Sequence, residues 1–209
     1  MTSLSKYQTA MTPTWCPGCS NYLLMQGLQK HFAEQKTPSE NIVICYDIGC
    51  AGNMADFIHT YGVHTLHGRV IPVGFGIKIH NPKLTVVCVG GDGGIYGEGL
   101  NHLITAVRAN IDLKVFVSNN FLYSLTTGQA SPTTPKKAQT KSTPYGVDLV
   151  PLNALSLIKK ANPQVWVKKT TSQKPPELFS KIQEAFFHRG FSLLEIETEC
   201  LAFGKQLKK

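Results

Sequence analysis

Short apolar runs alternate along the chain with amphipathic stretches of helical period. The runs are nearly continuous and rich in β-branched residues, which is typical of strands buried on both faces of a sheet. The predicted strands are 42–46, 84–89, 113–118, 164–167 and 192–196, and the predicted helices are 20–34, 71–79, 97–110, 150–161 and 176–188. This succession predicts an α/β fold whose mostly parallel sheet carries helices on both faces and binds ligands at the carboxyl ends of its strands.

One segment, 126–146, breaks the alternation. It is rich in Thr, Pro, Lys and Ser and has no regular period. A loop of this length within a compact domain is usually functional or disordered. Because it follows closely on a strand end, we expect it to be an active-site loop within a single domain that spans residues 1–209.

Composition and charge narrow the classes of function. The chain has 209 residues, of which 42% are hydrophobic and 16% charged, as in a globular protein. No apolar run approaches the roughly 18–20 residues that span a bilayer, and the polar start lacks the apolar core of a signal peptide, so we expect a cytoplasmic protein with no membrane contact. The net charge of +8 is thinly spread. Without interleaved aromatic residues it argues against nucleic-acid binding, and a solvated surface or a docking face for an acidic protein both stay open.

A glycine cluster with a single carboxylate, 90–94, directly follows the predicted strand 84–89. Glycines let the backbone approach a phosphate closely, and Asp92 among them is a natural ligand for a hard cation such as Mg²⁺. The next predicted strand runs into Asn119-Asn120, and neighbouring strand ends can bring Asp92 and an Asn to one metal. Taken alone, the glycine cluster could equally be a tight strand-to-helix turn.

Six cysteines in a cytoplasmic chain are not expected to form a disulfide framework. Cys45 and Cys88 lie inside apolar strands, where a free cysteine packs as a small apolar residue. The other four lie near strand ends or in loops: Cys16, Cys19, Cys50 and Cys200. Four such thiolates can hold a structural zinc or an iron–sulfur cluster. One C-x-x-C pair with two distant single cysteines is less typical of zinc, which usually takes two such pairs.

These segments together resemble the beta subunits of 2-oxoacid:ferredoxin oxidoreductases. The similarity extends from Trp15 to Phe203, and the matching segments are 15–19, 47–50, 62–69, 74–78, Gly91-Asp92-Gly93 with Asn119-Asn120, 108–113 and 123–134. The chain is shorter than many members of the family, chiefly after Thr134. It also departs from the family at four positions, which are Gly94 in place of Asp, Asn119 in place of Asp, Ser124 in place of Gly and Ala109 in place of Arg.

The resemblance implies a thiamine-diphosphate-binding fold with three cofactors. It implies that Asp92, the Asn120 side chain and the Leu122 carbonyl hold a Mg²⁺ that bridges the diphosphate. It also implies that Cys16, Cys19, Cys50 and Cys200 bind one 4Fe-4S cluster near the thiamine ring. The residues expected around the cofactor are Ile48, Gly49, Cys50, Ala51, His67, Gly91, Asp92, Gly93, Gly94, Asn120, Ser124 and Leu125.

The implied reaction is oxidative decarboxylation of a 2-oxoacid to acyl-coenzyme A and CO₂, with electrons passed through the cluster to ferredoxin. The carboxylate that activates the aminopyrimidine is expected on a partner subunit, alpha or alpha with gamma. We therefore assign no catalytic residue with certainty to this chain, and expect the isolated chain to be inactive. The sequence does not specify which 2-oxoacid is used.

Two other functions are compatible with parts of the pattern. One half of a non-oxidative thiamine-dependent decarboxylase would need the Gly-Asp-Gly turn but not the four cysteines. A zinc-stabilised, non-catalytic module would need the cysteines and use the glycine turn only structurally. Iron content distinguishes both from the oxidoreductase.

Overall fold

The computed structural model describes residues 4–208 of the chain. Its strands are β1 (Ile42–Tyr46), β2 (Tyr61–His64), β3 (Thr85–Gly91), β4 (Lys114–Asn119), β5 (Leu122–Tyr123), β6 (Gln129–Ala130), β7 (Trp166–Thr171) and β8 (Ser192–Glu197). Its α-helices are α1 (Asn21–Glu34), α2 (Val70–His80), α3 (Leu100–Ala109), α4 (Ala154–Ala161) and α5 (Pro175–Phe187). A π-helical turn, Gly93–Glu98, precedes α3, and 3₁₀ turns lie at Leu4–Tyr7, Ser39–Asn41, Gly52–Asp56 and Gly204–Lys208.

The central sheet has six parallel strands in the order β2-β1-β3-β4-β8-β7. The chain moves outward from β1 to β2 on one side, and from β3 to β4 on the other. The carboxyl ends of β1 and β3 therefore flank the point where the strand order reverses, and a crevice opens at such a point because the connections leave in opposite directions.

Helices cover both faces of this sheet. On one face, α1 and α5 pack Leu28, Phe32 and Ile182 against alternate strand residues such as Ile44 and Val87. On the other face, α2, α3 and α4 cover the intervening strand positions, which include Val43, Cys45, Cys88, Val115 and Leu193. This arrangement confirms the predicted α/β fold, because strands covered on both faces must be apolar at every position.

The two-residue strands β5 and β6 were not predicted, because they are too short to carry an apolar pattern. Two further strands, β2 and β7, differ from the prediction because they lie at the edges of the central sheet. β2, which was not predicted, is exposed at all four positions and so lacks an apolar run. β7 was predicted as 164–167 but begins at Trp166 and continues to Thr171, because its exposed Lys168 and Lys169 do not interrupt an edge strand.

Two helix starts also differ from the prediction. The predicted helix 97–110 is divided into the π-helical turn and α3. The predicted helix 150–161 begins at Ala154, because the Asn153 side chain accepts a hydrogen bond from the Ser156 N–H and caps the helix there. Within residues 4–208, none of the helices combines the length and apolar character needed to cross a bilayer.

At the opposite end of the sheet from the crevice, the Asp112 carboxylate forms ion pairs with two buried lysines. The Lys78 and Lys114 side chains are 9% and 6% exposed, and their Nζ atoms lie 3.1 and 2.7 Å from the Asp112 carboxylate. Each ammonium group also donates to two backbone carbonyls. Burial raises the pKa of Asp112, but hydrogen bonds and charge interactions with Lys114 and Lys78 outweigh burial and bring it below its ordinary value.

Replacing Asp112 with Asn should destabilise the fold, because two buried ammonium groups lose their counterion. We expect Asp112→Asn to lower the free energy of unfolding at pH 7 by about 2 kcal/mol, measured by urea denaturation. The folded-state pKa of Asp112 lies below its ordinary 3.8, so its stabilisation is present above pH 3.8 and is lost as the pH falls through the folded value.

Asp148 offers a matched control. Its side chain is fully exposed and lies 3.8 Å from Lys136, which is itself half exposed. We expect Asp148→Asn to leave the free energy of unfolding unchanged, because an exposed ion pair contributes little to stability. Equal effects of the two substitutions on the free energy of unfolding would show that the ion pairs of Asp112 with Lys78 and Lys114 do not stabilise the fold.

Candidate cofactor site

A cleft of about 310 Å³ lies where the strand order reverses. The segments that follow β1, β3 and β4 form its walls, together with His67 after β2. The structure places every predicted cofactor residue around this cleft: Ile48, Gly49, Cys50, Ala51, His67, Gly91, Asp92, Gly93, Gly94, Asn120, Ser124 and Leu125. These residues come from distant parts of the sequence, and the parallel sheet brings them together.

The glycine turn after β3 is too tightly enclosed for side chains. A Cβ atom on Gly93 would lie 2.3 Å from Cε1 of Tyr123, and one on Gly94 would lie 1.7 Å from Oδ2 of Asp47. Both distances are far below van der Waals contact. The turn therefore presents bare backbone to the cleft, which is the surface that a phosphate group can approach closely.

Asp92 lies within this turn and is 1% exposed. Its Oδ2 accepts hydrogen bonds from Ser131 Oγ at 2.5 Å and Thr133 Oγ1 at 2.6 Å. Burial raises the pKa of Asp92 to about 6, and the hydroxyl and backbone donors only partly offset that effect. Within the part of the chain that the structure describes, no cationic side chain pairs with Asp92. A bound metal ion would supply the positive charge that such a buried carboxylate lacks.

The other two predicted Mg²⁺ ligands line the same cleft as Asp92. The Asn120 Oδ1 accepts from the Leu122 N–H at 3.0 Å and from Ser124 Oγ at 3.1 Å. Because a hydroxyl can rotate away, Ser124 can release one lone pair of this oxygen to a cation. A carboxylate, an amide oxygen and the Leu122 carbonyl form an all-oxygen donor set, and such a set fits Mg²⁺.

Two polar residues that the sequence analysis did not assign to the site, Glu98 and Tyr123, form a second wall of the cleft together with the predicted His67. His67 Nε2 lies 3.2 Å from Glu98 Oε2, and its Nδ1 lies 3.1 Å from the Ile48 carbonyl oxygen. The Tyr123 hydroxyl donates to Glu98, with its oxygen 3.2 Å from Oε1, and burial together with the Glu98 charge raises the pKa of Tyr123. These contacts hold the His67 ring beside the glycine turn.

Asp47 supports this wall from inside the protein. It is fully buried, and its Oδ1 accepts from the Gly68 N–H at 2.8 Å, whereas its Oδ2 lacks a hydrogen-bond partner among the described residues. Burial raises the pKa of Asp47, and the Gly68 and Ile48 N–H groups oppose that rise. Asp47 directly follows a predicted buried strand, which was a weak signal for this role. Glu98 gave no signal, because it lies in an amphipathic stretch predicted to be helical.

A second cavity, of about 200 Å³, adjoins the cleft and is lined by all four predicted cluster ligands: Cys16, Cys19, Cys50 and Cys200. The six cysteines of the chain are free thiols. Burial raises the pKa of Cys50 to about 11, and the charges of Cys19, Cys200 and Cys16 add to this rise. The two cavities share five lining residues: Cys50, Ser118, Asn120, Ser124 and Leu125.

The spacing of the thiols bears on what they can hold. Among residues 4–208, no three His, Cys, Asp or Glu side chains lie close enough together to hold one metal ion. The four cysteines line one cavity, and four such thiolates are a donor set that suits either a structural zinc or an iron–sulfur cluster.

The contact between positions 47 and 94 can be tested by mutation. We expect Gly94→Ala to lower the free energy of unfolding by about 1–3 kcal/mol, because its Cβ displaces Asp47. In the double variant Asp47→Ala/Gly94→Ala this clash is gone. We therefore expect the double variant to lose about 1 kcal/mol less free energy of unfolding than the two single variants lose in sum, measured by urea denaturation.

Gly76 is the control for this cycle. It lies in α2, and a Cβ atom there would meet nothing within 4 Å. We expect Gly76→Ala to raise stability by about 0.5–1 kcal/mol, since alanine favours the helix. If the double variant loses as much free energy of unfolding as the two single variants together, the glycine turn accommodates the new Cβ atom without involving Asp47.

Known proteins are similar to this chain in both sequence and fold. Residues 47–196 match the family described as thiamine pyrophosphate enzyme, C-terminal TPP binding domain. The chain is 39% identical to the 2-oxoglutarate synthase subunit KorB of Archaeoglobus fulgidus, over 92% of this chain and 72% of that protein. It is 34% identical to the beta subunit of 2-oxoacid:ferredoxin oxidoreductase 1 of Aeropyrum pernix, over 96% of this chain and 63% of that protein.

A solved structure gives the same picture. The 2-oxoglutarate:ferredoxin oxidoreductase from Magnetococcus marinus, with 2-oxoglutarate, coenzyme A and succinyl-CoA bound, matches with a TM-score of 0.92 and 32% identity. The match covers 96% of this chain and 69% of that one, so this chain spans about two thirds of the length of these relatives. The chain belongs to the family of thiamine-pyrophosphate-binding beta subunits of 2-oxoacid:ferredoxin oxidoreductases.

Proposed function

We propose that this chain is the subunit of a 2-oxoacid:ferredoxin oxidoreductase that holds the diphosphate end of thiamine diphosphate and the first electron acceptor. One observation carries the proposal. The cavity lined by the four cysteines adjoins the cleft at the glycine turn, and Cys50 lines both. A cluster held by the four cysteines would thus lie within short electron-transfer distance of a cofactor bound in the cleft.

Mg²⁺ would be held by three oxygen atoms from two adjacent strand ends. Asp92 follows β3, whereas Asn120 and Leu122 follow β4, and β3 pairs with β4 directly. The metal would neutralise the buried Asp92 and the diphosphate together, and the bare backbone at Gly93 and Gly94 would give the diphosphate room.

A 4Fe-4S cluster would be held by Cys16 and Cys19 before α1, Cys50 after β1 and Cys200 after β8. Iron would supply the positive charge that four neighbouring thiolates require. The Trp15 indole N–H donates to the Cys50 carbonyl at 2.6 Å, and this bond fixes the loop that carries Cys50 against the C-x-x-C segment.

The chemistry of the reaction is divided between cofactor and protein. Thiamine diphosphate, when bound, supplies the electron sink for decarboxylation of a 2-oxoacid. The residues of this chain bind and orient it, through the glycine turn, the metal ligands and the wall formed by His67, Glu98 and Tyr123. The related structure with 2-oxoglutarate, coenzyme A and succinyl-CoA bound supports a 2-oxoacid and coenzyme A as substrates here.

A partner subunit completes the active site in this proposal. Among the described residues, the carboxylates that line the cleft are Asp92 and Glu98. Asp92 is committed to the metal, and Glu98 is engaged with His67 and Tyr123. The carboxylate that activates the aminopyrimidine would therefore come from the alpha subunit, or from alpha with gamma. The relatives named as beta subunits support such an assembly.

The remaining features of the proposal concern the chain as a whole. Residues 1–209 form one domain, and segment 126–146 is its active-site loop, which Ser131 and Thr133 tie to Asp92. Ferredoxin accepts the electrons, and the net charge of +8 would favour its approach if it is acidic. A cytoplasmic location suits a chain with free cysteines, because thiols stay reduced in that compartment.

The cluster can be tested by metal analysis of the chain purified without oxygen. We expect about four iron atoms and matching sulfide per chain, with a broad brown absorption. Cys200→Ser should lower the iron content because one ligand is lost. Cys45→Ala should leave the iron content unchanged, because Cys45 is buried within β1 and does not line the cavity.

The possible outcomes separate the alternatives. Zinc in place of iron would indicate a structural metal site and would refute the electron-transfer role. Absence of metal after anaerobic reconstitution, with thiamine diphosphate still bound, would instead favour half of a non-oxidative decarboxylase.

Activity should depend on the partner subunit. We expect no 2-oxoacid-dependent dye reduction by the isolated chain, and coenzyme A-dependent reduction once the alpha subunit is present, measured by the absorbance of a viologen dye. Turnover by the isolated chain would show that the activating carboxylate lies on this chain.

A further inference from the structure

We propose that Thr133 and Ser131 are positioning residues for the metal ligand Asp92, and that they couple the order of segment 126–146 to metal binding. This inference rests on the proposed function, because it assumes that Asp92 binds Mg²⁺. It assigns to two hydroxyl groups of the loop a role in metal affinity, in addition to any contact of the loop with substrate.

One oxygen of the Asp92 carboxylate accepts from both hydroxyl groups of the loop. Its Oδ2 accepts from both Ser131 Oγ and Thr133 Oγ1, at 2.5 and 2.6 Å. A carboxylate oxygen has two lone pairs in its plane, so two such donors saturate Oδ2. The two hydroxyl groups therefore fix the orientation in which the Asp92 carboxylate would meet a metal ion.

The same short segment also contacts the neighbouring strand end. Thr133 Oγ1 lies 3.0 Å from Asn119 Oδ1, and Thr134 Oγ1 donates to the Phe121 carbonyl. The Ser131 N–H donates to Thr134 Oγ1 at 2.7 Å and closes the segment into a compact turn. One turn of the loop thus bridges the ends of β3 and β4, which carry Asp92 on one side and Asn120 with Leu122 on the other.

These residues are buried, so water does not compete for their hydrogen bonds. Asp92 and Thr134 are 1% exposed, Thr133 is 7% exposed and Ser131 is 8% exposed. Hydrogen bonds from outer residues hold a metal ligand in its binding geometry, and removal of such a partner lowers metal affinity by about 10- to 100-fold.

Coupling between the metal and the loop follows from the same contacts. If the hydroxyl groups favour the metal-binding orientation of Asp92, then metal binding must favour the ordered turn by the same free energy. Mg²⁺ should thus stabilise segment 126–146, which carries the short strand β6 and no longer element.

The test uses the enzyme assembled with its partner subunit and stripped of Mg²⁺ and thiamine diphosphate. Thiamine diphosphate is titrated calorimetrically at a series of Mg²⁺ concentrations. We expect Thr133→Val to raise the Mg²⁺ concentration needed for half-maximal binding by about 10- to 100-fold. Thr133→Ser keeps the hydroxyl group and should stay near the wild-type value, a rescue that a purely space-filling role of Thr133 does not predict.

Thr140 provides a matched control in the same loop. It is 5% exposed, and its hydroxyl group bonds to Thr143 and Ser142 instead of to Asp92. We expect Thr140→Val to leave the Mg²⁺ dependence unchanged. Hydrogen–deuterium exchange of residues 126–146 should slow on addition of Mg²⁺ and thiamine diphosphate in the wild type, and slow less in Thr133→Val.

Ser131→Ala is measured in parallel, so that poor folding of one variant leaves the other as a test, and it should weaken Mg²⁺ dependence in the same direction. Unchanged Mg²⁺ dependence in a folded Thr133→Val or Ser131→Ala variant would overturn the inference. Equal weakening by Thr133→Ser and Thr133→Val would overturn it as well. Failure of the wild type to show Mg²⁺-dependent binding would instead refute the proposed function.

Discussion

Both faces of the central parallel sheet are covered by helices, and the rest of the structure depends on this constraint. Strands such as β1 and β4 are buried at every position, so they cannot carry exposed polar chemistry along their length. Polar groups accumulate instead where the strands end, and the reversal of strand order between β1 and β3 opens those ends into a cleft. The glycine turn, the proposed metal ligands and Cys50 lie together because only the carboxyl ends of the strands are open to polar groups.

Burial at the carboxyl ends of the strands leaves negative charges that bound metal ions would neutralise. Asp92 and Asp47 are buried carboxylates whose pKa values burial raises, and burial likewise raises the pKa of the Cys50 thiol. A buried anion without a partner costs free energy in folding. Cations that bind only the folded chain would return that free energy as stability, and cofactor binding would then be linked to folding at this site.

The sequence was most informative where a residue type has few alternative uses. The buried strands gave a strong local signal, and the Gly-Asp-Gly turn and the four cysteines became specific only in combination; in the structure they line two adjoining cavities. Edge strand β2 gave none, because exposed positions need no apolar pattern. The contact of Glu98 with His67 joins residues 31 positions apart through ordinary side chains. No spacing rule identifies such a pair before the fold is known.

Gly94 shows how the packing of neighbouring strand ends shapes the glycine turn. The space that a side chain at position 94 would enter is taken by the carboxylate of Asp47, the residue that follows β1. A Cβ atom at 94 would lie 1.7 Å from Asp47 Oδ2, so any side chain there requires the Asp47 carboxylate to move. A carboxylate thus lies beside the turn and reaches it from the end of the neighbouring strand. The charge next to the cofactor site is therefore a property of the packed strand ends, and it cannot be deduced from the glycine motif alone.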